Sequence, residues 1–147
     1  MSIDIGLGNW MCQRAHRTPA RPALSFEGTT WSYAELQLRI DRLATSLRAH
    51  GVCRGDRVGF LGLNQPAFFE TLFAAARIGA IFVPLNFRLT GAELRYIIND
   101  AGVHTLIVDA PHQPVIDGIR AQLPCRHFGS ADGAAEGWPA MIHAAQD

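Results

Sequence analysis

Three segments of this chain have apolar residues at helical spacing, and each segment ends at a glycine that precedes a short apolar run. The glycines are Gly51, Gly79 and Gly102. The runs that follow them are Val58–Leu63, Ala80–Leu85 and His104–Val108. Helices that alternate with strands in this way favour a parallel sheet with right-handed crossovers and helices packed against it. The pattern therefore predicts the α/β class, with a mostly parallel sheet and flanking helices.

Two capping boxes mark the beginnings of the first and third of these helices. Ser32 lies three residues before Glu35, and Thr90 lies three residues before Glu93. In such a box each side chain satisfies a backbone N–H group of the first helical turn. We predict one helix from Ser32 to about His50, and another between Thr90 and the third glycine.

The charged residues of the first two helices are predicted to lie on their solvent-facing sides. In the first helix, Glu35 and Arg39 are one turn apart and can pair there. The second helix begins near Pro66 and is apolar enough to be buried on more than one side. Its small polar face consists of Glu70, Thr71 and Arg77.

The two ends of the chain add smaller elements. A helix at Trp10–His16 precedes a β-hairpin, in which Glu27-Gly28 joins Ala23–Phe26 to Thr30-Trp31. After the third strand, the sequence predicts a helix at Pro114–Leu123, a strand at Arg126–Phe128, a linker at Ser130–Gly137 and a last helix at Trp138–Ala145. We treat residues 1–147 as a single unit whose tail is residues 129–147.

The charges and the cysteines give general limits on partners and location. Thirteen arginines balance thirteen acidic residues and there is no lysine, so net charge gives no reason to expect nucleic acid or an anionic membrane as the main partner. Three cysteines, far apart in sequence, favour a reducing cytoplasm over a disulfide framework. The most hydrophobic stretch, Pro66 to Phe87, is interrupted by charges and a proline, and no transmembrane segment is predicted.

The sequence lacks the patterns that are typical of several kinds of catalytic or binding site. Gly6 and Gly8 follow no strand and have no third glycine, so they indicate a flexible tail and not a dinucleotide site. None of the six histidines has a partner at one-turn spacing, so we predict no metal site. Ser130 lacks the nucleophile-elbow pattern. Asp100 and Asp109 flank a strand, where helix-end or turn roles are favoured over a paired carboxylate site.

A few other residues have two interpretations. His50 follows a helix and His104 opens a strand, and for both a capping or surface role is favoured over catalysis. The aromatic residues Phe68, Phe69 and Phe73 can suggest a fatty-acid pocket, but at helical spacing they are more typical of core packing. No catalytic residue is predicted in this chain.

The leading candidate for a binding site is Asn86 together with Arg88. The strand before them should stop near Pro84, because proline cannot donate a ladder hydrogen bond. Residues that follow the carboxyl end of a parallel strand lie where open α/β sheets commonly bind ligands. We therefore name Asn86 and Arg88 as candidate cofactor-binding residues. The alternative is local, with Asn86 turning the chain and Arg88 pairing or capping nearby.

Three ordered motifs resemble the N-terminal end of AMP-forming acyl-CoA ligases, within the adenylate-forming superfamily. They are TTWSYAEL at residues 29–36, RGDRV at residues 54–58 and GAIFVPLNFRL at residues 79–89. The resemblance spans roughly residues 10–108, and three motifs in order are far harder to obtain by chance than one. It implies the N-terminal portion of the large domain of a ligase that acts on a fatty acid or another carboxylate.

The resemblance also implies a two-step reaction and its cofactors. In a complete family member, a carboxylate attacks the α-phosphate of ATP with the help of magnesium, and coenzyme A then displaces AMP to give a thioester. The chain lacks the family's phosphate-binding segment and its C-terminal lysine domain. We therefore expect a scaffold that binds none of these cofactors by itself and is inactive alone.

Three hypotheses follow about what the chain does. In the first, it is part of a fatty-acid (acyl) CoA ligase, and its partner is the remainder of that polypeptide. In the second, it is a naturally truncated, non-catalytic remnant or interaction module, which exposes apolar surface or self-associates through it. In the third, it is an independent small-ligand binder at the edge formed by Asn86 and Arg88.

Overall fold

The computed structural model describes residues 6–132 and 142–144. The helices are α1 (Trp10–Arg17), α2 (Tyr33–Ala49), α3 (Pro66–Ile78), α4 (Gly91–Ala101) and α5 (Gln113–Asp117). The strands are β1 (Pro22–Phe26), β2 (Thr29–Ser32), β3 (Arg57–Leu61), β4 (Ile81–Leu85), β5 (Val103–Val108), β6 (His127–Ser130) and β7 (Ile142–Ala144). Short 3₁₀ turns lie at Leu7–Asn9, Ala110–His112 and Arg120–Gln122.

The strands form two sheets. β1 and β2 make a separate antiparallel hairpin. The main sheet has the order β4-β3-β5-β6-β7, in which the first four strands are parallel and β7 is antiparallel to β6. The predicted α/β class and the small N-terminal hairpin are therefore confirmed.

Helices cover both faces of the main sheet, because alternate residues of each strand point to opposite faces. In β3, Val58 and Phe60 belong to a core that includes apolar residues of α2 and α3. Leu61 belongs to the opposite core, with Leu94 of α4 and Ile116 of α5. The sheet is thus the middle of three layers.

The helix ends follow their local sequence signals. Ser32 Oγ accepts from the Glu35 backbone N–H at 3.2 Å, and the Glu35 carboxylate accepts from the Ser32 N–H at 2.7 Å. Thr90 and Glu93 form the second predicted box in the same way. Gly79 ends α3 in the left-handed region with a φ of 76°, which a glycine adopts without strain. Both predicted capping boxes are confirmed.

α3 is buried on several sides, as predicted, but its polar residues were placed wrongly. Glu70 and Thr71 have no solvent exposure and lie inside the protein. Thr71 Oγ1 donates to the carbonyl of Ala67 at 2.7 Å, which satisfies its hydroxyl within the helix. Of the predicted polar face, only Arg77 is exposed.

The predicted pair between Glu35 and Arg39 does not form. The Glu35 carboxylate is used by the capping box. Arg39 instead donates from Nε to Glu70 Oε1 at 2.5 Å, across the interface between α2 and α3. A partner from another helix therefore replaces the partner one turn away.

The predicted end of this strand near Pro84 is confirmed, and the proline itself lies inside the strand, one residue before its end. β4 continues to Leu85, and Pro84 is paired in register with Phe60 of β3. The Ile81 N–H donates to the Asp56 carbonyl on the β3 side. Because backbone groups alternate along a strand, Pro84 faces the outer edge of β4, where no described strand pairs with it and its missing N–H is not needed.

The N-terminal glycines also differ from the prediction of a flexible tail. Leu7–Asn9 forms a 3₁₀ turn that packs against α3. A Cβ atom on Gly8 would lie 2.5 Å from the carbonyl oxygen of Ala76. Gly8 is therefore a position of close backbone packing, which only glycine fits.

The region after β5 is less helical than predicted. The predicted helix Pro114–Leu123 is interrupted after Asp117, where Gly118 separates α5 from a 3₁₀ turn. The predicted strand begins one residue later and extends to Ser130, into the segment predicted as linker. Of the predicted last helix, residues 138–141 and 145 lie outside the described residues. Residues 142–144 are a strand paired with β6, so the helix prediction is wrong there.

None of the helices in the described part of the chain combines the length and the apolar character needed to cross a bilayer.

Candidate functional site

The carboxyl ends of β3, β4 and β5 meet at one edge of the main sheet, which we call the carboxyl edge. β3 lies between β4 and β5 in the sheet. The helix that follows β3 packs in one core, and the helix that follows β5 packs in the opposite core. The chain therefore leaves these neighbouring strands toward opposite faces, which is the arrangement that opens a ligand crevice in α/β sheets.

Asp109 bridges the two strands at this point. Its Oδ2 accepts from the Leu63 backbone N–H at 2.8 Å, and its own N–H donates to the Leu61 carbonyl at 3.1 Å. The side chain of Gln65 also reaches Asp109 Oδ2, at 3.5 Å. A Cβ on Gly62 would come within 2.8 Å of the same oxygen. The buried carboxylate therefore fills the crevice between the two loops.

The other carboxylate oxygen of Asp109 orients His112. Oδ1 accepts from the His112 backbone N–H at 3.2 Å and lies 2.5 Å from His112 Nδ1. Because a carboxylate only accepts hydrogen bonds, this contact places the imidazole proton on Nδ1. Asp109 is thus the cap of the 3₁₀ turn Ala110–His112 and also fixes the direction of the His112 ring.

Asn86 and Arg88 lie at the carboxyl edge, where they were predicted, and Phe87 joins them to His112. Asn86 Oδ1 accepts from the Arg88 N–H at 3.0 Å, which agrees with the local turn role considered for Asn86. The Arg88 guanidinium lies 5.6 Å from the Phe87 ring centroid, and the His112 ring lies 5.6 Å from it as well. The Phe87 ring is therefore contacted by Arg88 from the loop after β4 and by His112 from the loop after β5.

A second candidate is a cleft of about 540 Å³ between the hairpin, α2, α3 and the end of β6. Trp31, Arg39, Gln65 and Asp132 are among its lining residues. Arg39 lies 5.3 Å over the Trp31 ring while it donates to the buried Glu70. Arg39, at the wall of this cleft, therefore connects the hairpin, α2 and α3 through these contacts.

The remaining predicted residues are dispersed. His50 Nδ1 lies 2.8 Å from the Ser46 carbonyl at the end of α2, which confirms a capping role. His104 Nδ1 lies 3.7 Å from Asp56 Oδ1 at the amino edge of the sheet. Asp100 is exposed near the end of α4, so the structure does not bring it together with Asp109 at the carboxyl edge.

Ser130 and the three phenylalanines of α3 have structural positions. Ser130 Oγ accepts from the Asp132 N–H at 3.2 Å, as in a turn. Phe68 packs against Phe60 and Phe82 with ring centroids 5.5 and 5.2 Å away. Phe73 is partly buried against the same core, whereas 43% of Phe69 is exposed. Core packing is therefore confirmed for two of the three predicted residues.

The helix-end or turn role predicted for Asp109 is confirmed by its cap of the 3₁₀ turn Ala110–His112, but its contacts with the loop after β3 were not predicted. Asp109 follows β5 as Asn86 follows β4, so the rule that selected Asn86 would also have selected Asp109. Its contact with Leu63 spans 46 residues and has no local signal. The ion pair of Arg39 with Glu70 spans 31 residues and is equally invisible in a local pattern.

The described residues do not form a magnesium site. Across residues 6–132 and 142–144, no group of three His, Cys, Asp or Glu side chains could hold a metal ion. Both oxygens of Asp109 accept hydrogen bonds from the protein. Arg88 is different, because its guanidinium is exposed at the carboxyl edge and can receive an anionic group.

Comparisons with known proteins agree with this architecture. The family model described as AMP-binding enzyme matches residues 12–142. A feruloyl-CoA synthase from Amycolatopsis sp. is 44% identical over 131 residues, which cover 86% of this chain and 27% of that protein. A long-chain-fatty-acid–CoA ligase from Mycobacterium tuberculosis is 40% identical over 116 residues, which cover 77% of this chain and 23% of that protein.

A solved structure shows the same fold. The N-terminal domain of FACL13 from Mycobacterium tuberculosis matches with a TM-score of 0.83 and 31% sequence identity, over 97% of this chain and 37% of that one. The chain spans about a quarter of the length of the two curated relatives. Since the family model matches nearly the whole chain, this chain belongs to the family of AMP-binding enzymes.

Proposed function

We propose that this chain is the N-terminal scaffold portion of an ATP-dependent, AMP-forming acyl-CoA ligase and is not catalytically competent alone. The observation that carries the proposal is a family match over residues 12–142 that corresponds to only about a quarter of each curated relative. In the complete enzyme, ATP with magnesium would activate a carboxylate, and coenzyme A would accept the acyl group. The described residues would support that site without supplying its metal ligands.

Within this scaffold, Asp109 has a positioning role. It holds the loops after β3 and β5 together, and it orients His112 beside Phe87. These contacts make the carboxyl edge rigid, and preorganised surfaces bind ligands at lower entropic cost. The edge is therefore suited to receive a ligand that the rest of the polypeptide encloses.

Arg88 is the residue of this edge that we assign to cofactor binding, with Asn86 as the residue that shapes its turn. The Arg88 guanidinium is exposed and can form paired hydrogen bonds with a phosphate group of ATP or coenzyme A. In the enzyme, Arg88→Gln should raise the KM for one of these cofactors and leave the KM for the carboxylate unchanged. Arg48→Gln, at an exposed arginine of α2, is the matched control.

For the carboxylate we propose a fatty acid as the leading class. A relative named for long-chain fatty acids supports this choice, and the feruloyl-CoA synthase supports an aromatic acid as its competitor. A panel that contains both classes decides between them. Faster AMP release with aromatic acids than with any fatty acid would reject the fatty-acid assignment.

The first experiment is to recover the native polypeptide with an antibody against this segment and to measure its intact mass. A product several hundred residues long is expected. It should release AMP in the presence of ATP, coenzyme A and acid, whereas the purified 147-residue chain should not. Thioester formation by the purified chain would contradict the claim that the scaffold is inactive.

The competing proposal is a short interaction module, and exposed apolar residues favour it. Leu38, Leu63 and Ile81 are each about half exposed on the described surface. A native product that ends at Asp147 and self-associates in light scattering would support this alternative. We place either form in the cytoplasm, since Cys12, Cys53 and Cys125 are free.

A further inference from the structure

Two histidines meet at the end of α2, at the amino edge of the main sheet. His50 caps α2, and His127 is the first residue of β6. Their ring centroids are 5.8 Å apart, and the ring planes are inclined by 73°. Both residues are partly exposed, so a small solute can reach them. The two histidines are far apart in sequence, so one-turn spacing, from which no metal site was predicted, cannot detect this pair.

A buried threonine lies beside His127. Thr105 of β5 is paired in register with His127, and side chains at paired positions of neighbouring strands point to the same face of the sheet. Only 1% of Thr105 is exposed. Thr105 Oγ1 and His127 Nδ1 are both buried atoms that have no hydrogen-bond partner among the described residues. Such atoms are rare in proteins, and two of them on neighbouring strands indicate a bound water molecule or ion.

Both histidines have a ring nitrogen that can ligate a metal. His50 Nδ1 lies 2.8 Å from the Ser46 carbonyl, and because a carbonyl only accepts hydrogen bonds, Nδ1 carries the proton. The Nε2 atom of the neutral ring therefore keeps a lone pair. Histidines that bind metals commonly donate their second N–H to a backbone carbonyl in this way. Burial lowers the pKa of His127, and His50 and Arg126 lower it further, so its ring is neutral at pH 7.

The separation of the two rings favours an ion over a bridging water. Two imidazoles that share one zinc ion, each through a nitrogen about 2.1 Å from the metal, have ring centroids roughly 5–6 Å apart. A water that makes a hydrogen bond of about 2.9 Å to each ring holds the centroids roughly 6–7 Å apart. The observed separation of 5.8 Å lies in the first range. Imidazole suits zinc and related transition metals, whereas magnesium prefers oxygen ligands.

We propose that His50 Nε2 and His127 Nδ1 bind a zinc ion whose remaining ligands are water molecules, one of them hydrogen-bonded to Thr105 Oγ1. This site uses two histidines and no carboxylate, so it differs from the groups of three side chains that are absent among the described residues. It lies at the amino edge of the sheet and uses no residue of the carboxyl edge. The proposal therefore does not depend on ligase activity.

The test is isothermal titration calorimetry of the EDTA-treated chain with zinc chloride. We expect the parent to bind zinc, and His50→Gln or His127→Gln should weaken this binding by at least about tenfold. Thr105→Val should weaken it by a smaller factor, because it removes only the contact with a metal-bound water. Zinc should also raise the melting temperature of the parent but not that of His127→Gln.

His16→Gln is the matched control, since it removes an exposed histidine outside this site. Cys53→Ser tests whether an exposed thiol binds the zinc instead. Far-UV circular dichroism shows whether each variant is folded. Equal zinc affinity in the parent and in both variants of the pair would overturn the proposal, as would an equal loss in His16→Gln or Cys53→Ser. A parent that binds no zinc would also overturn it, and would assign the two buried polar atoms to water.

Discussion

Arg39 of α2 and Glu70 of α3 form an ion pair in which the carboxylate has no exposure to solvent. The pair joins two helices of the same core, and Arg39 also stacks on Trp31 of the hairpin. A second pair, between Arg77 and Asp41, links the same two helices at 3.4 Å near the surface. The two pairs differ mainly in burial, so variants of each allow the stability cost of breaking a buried ion pair to be compared with that of breaking an exposed one.

Removing Arg39 should destabilise the fold strongly, because it leaves the Glu70 charge buried without its partner. We expect Arg39→Met to lower the free energy of unfolding by about 3–5 kcal/mol in urea denaturation. Arg77→Gln, the exposed control, should cost less than about 1 kcal/mol. The double variant Arg39→Met with Glu70→Met should be more stable than Arg39→Met alone, since the buried carboxylate is removed as well. Equal losses in the two single arginine variants would contradict this explanation.

The contact between Gly62 and Asp109 predicts non-additive mutations. Asp109→Ala should cost about 2–3 kcal/mol, because the Leu63 N–H loses a charged acceptor. Gly62→Ala should also destabilise, since its Cβ would meet Asp109 Oδ2 at 2.8 Å. In the Asp109→Ala background the two nearest atoms, Oδ2 and Cγ, are gone and only the Cβ contact at 3.2 Å remains, so Gly62→Ala should cost less there. Urea denaturation of all four proteins measures the coupling, and strictly additive losses would show that the clash has no energetic role.

Alkaline pH should destabilise the protein through Cys125. Burial raises the pKa of this thiol to about 12, so it stays protonated in the folded state while the unfolded thiol ionises near 9.0. The unfolded state then binds fewer protons than the folded state, and stability falls by about 1.4 kcal/mol per pH unit from pH 9 toward pH 12. Cys125→Ala should lack this contribution. Identical pH profiles for the two proteins between pH 8 and pH 11 would refute it.

Mild acid should destabilise the protein through His127. Burial lowers the pKa of its imidazole, and the neighbouring His50 and Arg126 lower it further. Its Nδ1 has no hydrogen-bond partner among the described residues. The unfolded state therefore takes up a proton more readily, and stability is lost as pH falls through the ordinary histidine value near 6.5. Melting temperatures from pH 8 to pH 5 should fall less in His127→Gln, whereas the exposed His16→Gln should behave like the parent.

Sequence signals that act within a few residues predicted the structure well. Ser32 with Glu35 located a helix start, because both hydrogen bonds of a capping box form inside one turn. Gly79 and Gly102 located helix ends, because both residues adopt positive φ values at the stops. The alternation of these helices with apolar runs was sufficient to predict the α/β class.

Features that depend on distant partners were not predictable in this way. Glu70 looked like a surface residue until Arg39 was brought against it from another helix. Residues 142–144 looked helical, but pairing with β6 makes them a strand. At the carboxyl edge, the strand rule found Asn86, whereas the bridge from Asp109 to Leu63 depends on which strands are neighbours in the sheet.

The position of Pro84 limits how the main sheet can be extended. Only Phe82 can donate a backbone N–H outward from β4, because its neighbours in the strand face β3 and Pro84 has no N–H. A further strand added at this border would therefore lack the regular ladder that holds strands together. Any segment or protein that covers β4 can form only part of a ladder with it, so the proline makes edge-to-edge joining of newly made chains less favourable.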